Sequence, residues 1–221
     1  MYAVGVGPGD PQLLTLKAVQ VIGKCPVIAL PASGKEINIA GKIAAEYIKE
    51  KEIVECGMPM TTDKEERNRV HDLAAGQIAA ILDQGRDVAF LTLGDPSIYS
   101  TVMYVLQRVR DRGYETEMVP GITSFCGAAA SLGISLCQDD EMLHIIPACY
   151  EGTGDSMAGT RVLMKSGKKI VDIKESLRGR HAMAVENATT EEEHVWKDID
   201  DMNEIPGYFT MVVVPGEKEK E

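Results

Sequence analysis

The chain has 221 residues, 44% of them hydrophobic and 26% charged, with a formal net charge of −11, a composition that suits one large or two small globular domains with real cores. The acidic balance argues against nonspecific nucleic-acid binding and against an anionic membrane surface, since both reward clustered Lys and Arg. No apolar stretch reaches the roughly 20 residues that span a bilayer, and the start, Met1-Tyr2-Ala3-Val4, lacks the basic segment of a signal peptide, so a soluble cytoplasmic protein is expected.

In chain order, residues 3–6 read as a short strand and 15–22 as a helix with Leu16, Val19 and Ile22 at helical spacing, stopped by Gly23. A second strand, 27–30, ends at Pro31, a helix over 39–49 exposes its lysines, and 53–55 is a short edge strand. Capping patterns around Thr62 and Asp63 open a long helix whose stripe is Val70, Leu73, Ala74, Ile78, Ile81 and Leu82. The run 88–93 is nearly all apolar, as for a parallel strand covered on both faces, and 98–110 returns to helical spacing. A strand at 117–119 leads into Pro120-Gly121-Ile122-Thr123-Ser124, where Ser124 can cap a small-residue helix over 125–132.

This alternation predicts an α/β domain with a mostly parallel sheet, whose ligands belong outside the carboxyl ends of the strands. The composition then shifts. Strands are expected at 143–146, 161–165, 182–186 and 208–214, and helices near 170–177 and 191–199. The expected division is a first α/β domain over 1–120 and a second over 121–215, their sheets mostly parallel or mixed, with a disordered tail at 216–221 that has no apolar content.

Cys25, Cys56, Cys126, Cys137 and Cys149 form an odd, scattered set beside apolar stretches, the usage of reduced core residues. His71, His144 and His181 are not spaced as ligands, and no metal site is expected.

Chemistry concentrates in the turns. Gly5-Val6-Gly7-Pro8-Gly9-Asp10 follows the first strand, yet Asp10 stands where a dinucleotide fingerprint needs glycine, and Pro8 and Pro11 remove amides that would cradle a pyrophosphate. Such a turn suits close backbone approach to a neutral or cationic ligand, or is simply tight. Gly94-Asp95-Pro96 follows the buried strand, and Asp95 reads either as a cap for a helix starting near Ser97 or as a ligand clamp. With Pro120 to Ser124, Met164-Lys165 and Glu186-Asn187-Ala188-Thr189, five strand-end turns from two lobes would converge on one cleft. A pocket of backbone donors and acceptors with few titratable groups suits binding and orientation more than acid–base hydrolysis.

Gly5 to Pro11 with Leu13-Leu14-Thr15-Leu16-Lys17-Ala18, then Gly94-Asp95-Pro96 with Tyr99, then Val119 to Ser124, resemble the tetrapyrrole (corrin/porphyrin) methylases over nearly the whole chain. Within that family, Pro59-Met60-Thr61-Thr62-Asp63-Lys64, the run 88–101 and Asp140-Glu141 resemble the precorrin-2 C20-methyltransferases of cobalamin synthesis. Diphthine synthase and ribosomal RNA 2′-O-methyltransferases share the fold and fit the middle segments less well, and a noncatalytic metabolite-binding protein of the same fold is the alternative of another class.

The resemblance implies two α/β domains without a Rossmann fingerprint, a homodimer, S-adenosylmethionine as methyl donor and a small-molecule tetrapyrrole substrate. It places Pro8 in the turn that approaches the cofactor, and Leu93, Gly94, Asp95 and Ile98 at its amino-acid and ribose end. Thr123 and Ser124 contact it from the connecting segment, Met164 packs on the adenine side, and Ala188 and Thr210 close the pocket through backbone groups. The substrate's carboxylates would need local cations, for which Lys35, Arg67, Arg69, Arg86, Lys165, Arg178 and Arg180 form the pool. Asp95, Asp10, Glu186 and water are the candidate bases, none of them assigned.

Overall fold

The computed structural model describes residues 1–32, 38–59, 61–147 and 157–216; Lys35, Met60, Cys149 and residues 217–221 of the tail lie outside the described residues. The chain divides into two units, Met1–Thr123 and Ser124–Glu221.

In the first unit β1 (Tyr2–Gly5), β2 (Val27–Ala32), β3 (Glu52–Gly57), β4 (Val88–Thr92) and β5 (Glu117–Val119) form a wholly parallel sheet in the order β3-β2-β4-β1-β5. The apolar runs lie inside and the Glu-bearing strands at the edges. Successive side chains of a strand point to opposite faces, so Val88 and Phe90 enter one core while Ala89 and Leu91 enter the other. Helices α4 (Lys64–Leu82) and α5 (Val102–Asp111) cover the first face, and α1 (Leu16–Lys24), α2 (Ile39–Ile43) and α3 (Ala45–Ile48) cover the second.

Several expected elements are corrected. The helix expected over 39–49 is broken at Ala44, which leaves helical dihedrals (φ −89°, ψ 6°) while its amide still bonds back to Ala40 O. In α1 the buried residues are Ala18, Val21 and Ile22, and Leu16 is 90% exposed, because the Thr15 cap fixes the face presented to the sheet. The stripe of α4 is rotated in the same way: His71, Ala74, Ala75 and Ile78 are buried and Leu73 is 58% exposed. The helix expected from 98 begins at Val102, because Tyr99 takes φ +48° and interrupts the turn.

In the second unit β6 (Leu143–Pro147), β7 (Thr160–Met164), β8 (Met183–Glu186), β9 (His194–Trp196) and β10 (Thr210–Val214) form a mixed sheet, β6-β7-β10-β8-β9, with β6 and β7 parallel and the other neighbours antiparallel. Helix α7 (Ile170–Ser176) packs its Ile170 and Ile173 against Leu163, Ala184, Val212 and Val214, and α6 (Ser124–Leu132) lies against β8. The helix expected over 191–199 is absent. Strand β9 occupies its middle, paired with β8, since three consecutive glutamates before it offer no apolar stripe to bury.

Cys25 and Cys56 are buried, and burial pushes both thiols up to about 11, which keeps them protonated and inert. Cys126 and Cys137 are exposed, against the expectation of core positions. No helix among the described residues is long and apolar enough to cross a membrane.

Candidate functional site

At the carboxyl ends of β1, β4 and β5 the backbone itself makes the site. Gly7 and Gly94 form an antiparallel bridge, with Gly94 N–H donating to Gly7 O at 2.8 Å and Gly7 N–H to Gly94 O at 3.3 Å. A Cβ on Gly121 would lie 2.2 Å from Gly94 O and 2.8 Å from Gly5 C, and one on Gly5 would lie 2.6 Å from Gly94 O. Three chain segments thus meet at glycines because no side chain fits, which is the close backbone approach the turn sequences imply.

Asp95 fastens this junction. Its Oδ2 accepts Gly121 N–H at 2.9 Å, and its Oδ1 accepts Ser97 N–H at 2.8 Å and Ser97 Oγ–H at 2.5 Å. Burial raises the carboxyl, but the bonds from Ser97 and Gly121 outweigh it and hold Asp95 below the ordinary aspartate value. Since α5 begins at Val102, Asp95 caps the turn at Ser97 and does not cap the helix. Pro8 is buried beside the junction, Leu93 and Ile98 are half-buried, and Thr123 Oγ1 is buried without a partner among the described residues.

Two residues outside the expected set hold the same loops. Thr15 Oγ1 caps α1 through Ala18 N–H and donates to Pro120 O at 3.4 Å, and Thr92 Oγ1 meets Ser100 Oγ at 2.8 Å. Thr15 stands at the start of the helix expected over 15–22, whereas its second bond joins residues 105 apart and has no local signal.

In the second unit register gathers the remaining residues. Met211 of β10 pairs with Met164 at the end of β7, and Thr210 pairs with Glu186 at the end of β8, so Met164, Thr210 and the turn carrying Ala188 share one end of the sheet. Ser124 opens α6. Thr210 and Ala188 are buried and Met164 is half-buried. Glu186 Oε1 accepts Gly207 N–H at 2.5 Å, Thr210 Oγ1 donates to Gly207 O at 2.8 Å, and Asn187 N–H donates to Phe209 O at 3.2 Å. Lys165 Nζ stands 5.9 Å from the centre of the Tyr208 ring.

Strain is concentrated at these turns. Of the five non-glycine residues with positive φ among those described, Tyr99, Lys165, Asn187 and Thr189 follow β4, β7 and β8, each a conformation that costs on the order of 1–3 kcal/mol. Such strain persists where surrounding bonds over-determine it and is commonest at ligand sites.

The candidate bases are all engaged with backbone. Asp10 accepts Gln12 N–H at 2.8 Å, Glu186 holds Gly207, and Asp95 holds Gly121. Among the described residues no group of three or more His, Cys, Asp or Glu could hold a metal ion. Of the cation pool, Arg86 pairs with Glu52. Two open grooves, of ≈ 640 Å³ at the amino ends of β1, β4 and β5 and of ≈ 540 Å³ beside α7, are lined by none of these turn residues.

The family model described as Tetrapyrrole (Corrin/Porphyrin) Methylases matches residues 1–202. The chain belongs to that family. This methylase is 42% identical over 148 residues to a probable cobalt-precorrin-2 C(20)-methyltransferase of Methanocaldococcus jannaschii, a match covering 66% of the chain and 63% of that relative. It is 32% identical over 239 residues to a precorrin-2 C(20)-methyltransferase of Sinorhizobium sp, a match covering 100% of the chain and 96% of the relative. The uroporphyrin-III C-methyltransferase of Thermus thermophilus, solved in complex with S-adenosylhomocysteine, has the same fold, with a TM-score of 0.70, 24% identity and 96% of each chain covered.

Proposed function

We propose that this methylase transfers a methyl group from S-adenosylmethionine to C20 of precorrin-2 or of its cobalt complex, in cobalamin biosynthesis. The observation that carries the proposal is the end-to-end match to the Sinorhizobium C(20)-methyltransferase. The strand-end turns fit the cofactor: the glycine junction lets backbone groups approach a ligand closely, and the buried Thr123 hydroxyl, without a partner among the described residues, is one that a polar ligand would satisfy. When bound, S-adenosylmethionine supplies an electrophilic methyl group on a sulfonium.

The residues proposed to hold it are Pro8, Leu93, Gly94, Asp95, Ile98 and Thr123 of the first unit and Ser124, Met164, Ala188 and Thr210 of the second. Their work is orientation and the exclusion of water. Alignment of reacting groups supplies up to roughly 7–11 kcal/mol of barrier lowering in favourable cases, and a dry site disfavours a localised charge relative to a dispersed one. Apolar side chains and backbone groups serve both ends. Asp95, ionised at neutral pH and bonded through both oxygens, fixes the loops and is not the proton acceptor. The acting form is a cytoplasmic homodimer.

Titration calorimetry with S-adenosylhomocysteine tests the cofactor part. Micromolar binding with one site per chain is expected, and no heat at millimolar ligand overturns it.

A further inference from the structure

The turn that carries Ala188 is strained on both sides, with Asn187 at φ +49° and Thr189 at φ +66°. A β-branched residue is poorly suited to that region. Thr190 stabilises the Asn187 side, donating from N at 3.0 Å and from Oγ1 at 2.9 Å to Asn187 O. The Thr189 amide is held by a side chain: Glu193 Oε2 accepts Thr189 N–H at 2.5 Å. The same oxygen accepts the Ser131 hydroxyl at 2.5 Å, in competition with Gly127 O at 3.1 Å. Ser131 lies on α6, two helical turns beyond Ser124 and on the same face, since residues seven apart are nearly eclipsed along a helix.

We propose that Glu193 is a positioning residue of the methyltransferase, one carboxylate oxygen tying the helix that starts at Ser124 to the strained turn that presents Ala188. The inference rests on the reading that Ser124 and Ala188 contact the cofactor, and it adds the group that sets their spacing. Both donors converge on Oε2, so the role needs an acceptor at that point and not a negative charge. A glutamine whose amide oxygen takes that place keeps both bonds, and an alanine loses both.

The test measures the Kd of S-adenosylhomocysteine and the melting temperature for the wild-type chain, Glu193→Gln, Glu193→Ala, Ser131→Ala and the double variant Ser131→Ala/Glu193→Ala. Glu193→Ala is expected to raise Kd about tenfold or more, Glu193→Gln to stay within about threefold, and Ser131→Ala to fall between them. The double variant is expected to match Glu193→Ala, since the two residues share one bond. A wild-type chain that does not bind overturns the cofactor reading and this inference with it. A wild-type chain that binds, beside a Glu193→Ala variant with unchanged Kd and a lowered melting temperature, overturns the positioning role alone. If Glu193→Ala does not fold, Ser131→Ala decides: a raised Kd supports the tie and an unchanged one overturns it.

Discussion

Asp95 accepts donors through both carboxylate oxygens: Oδ2 takes the Gly121 amide and Oδ1 takes Ser97 twice. An asparagine can accept on one side only and turns an amide N–H toward the donors on the other. Asp95→Asn is therefore expected to weaken S-adenosylhomocysteine binding about tenfold while lowering the melting temperature by only a few degrees. Calorimetry beside thermal melts checks this, and a collapsed melting temperature with affinity retained leaves Asp95 a structural role alone. The carboxyl also titrates below its ordinary value. A depressed carboxyl contributes stability above its unfolded pKa, about 3.9, and that contribution is lost as the pH falls through the folded value. Urea denaturation at pH 7 and pH 3 is expected to show the wild-type advantage over Asp95→Asn shrinking at the lower pH.

At the scale of elements, the glycine junction and the α4–α5 seam make separate predictions. Gly121→Ala forces a methyl group to within 2.2 Å of Gly94 O, where the obstacle is backbone and cannot rotate away, so a loss of about 1–3 kcal/mol is expected together with weakened cofactor binding. Gly23→Ala meets nothing within 4 Å inside α1 and is expected to gain about 0.5–1 kcal/mol. Chemical denaturation of the pair separates crowding from helix propensity. Between α4 and α5, His71 is buried and stacks on Tyr104 at 5.1 Å, and its Nδ1 has no partner among the described residues. Burial, with Arg108 and Arg67 beside it, lowers its pKa. The unfolded chain then takes up a proton near pH 6.5 that the folded chain resists, so stability falls with pH below that value. His71→Gln is expected to flatten the slope of unfolding free energy between pH 7 and pH 5.

The unit-scale architecture was legible because its signals are collective. Buried parallel strands declare themselves as apolar runs such as 88–92, and the strand-end glycines of the first unit mark places where chains touch. What escaped was set by single long-range contacts. Nothing near Glu191-Glu192-Glu193 says that β8 will take His194 to Trp196 as a partner strand, or that Glu193 will reach back 62 residues to Ser131. The start of α5 at Val102 likewise turns on the positive φ of Tyr99, which no spacing rule foresees. The family match spans residues of both units, 1–202, and the most direct test of the proposed function is to incubate the chain with methyl-labelled S-adenosylmethionine and precorrin-2, with and without cobalt, and locate the label by NMR. A methyl group at C20 is expected; incorporation at another carbon, or none while S-adenosylhomocysteine binds, contradicts the proposed C20 transfer.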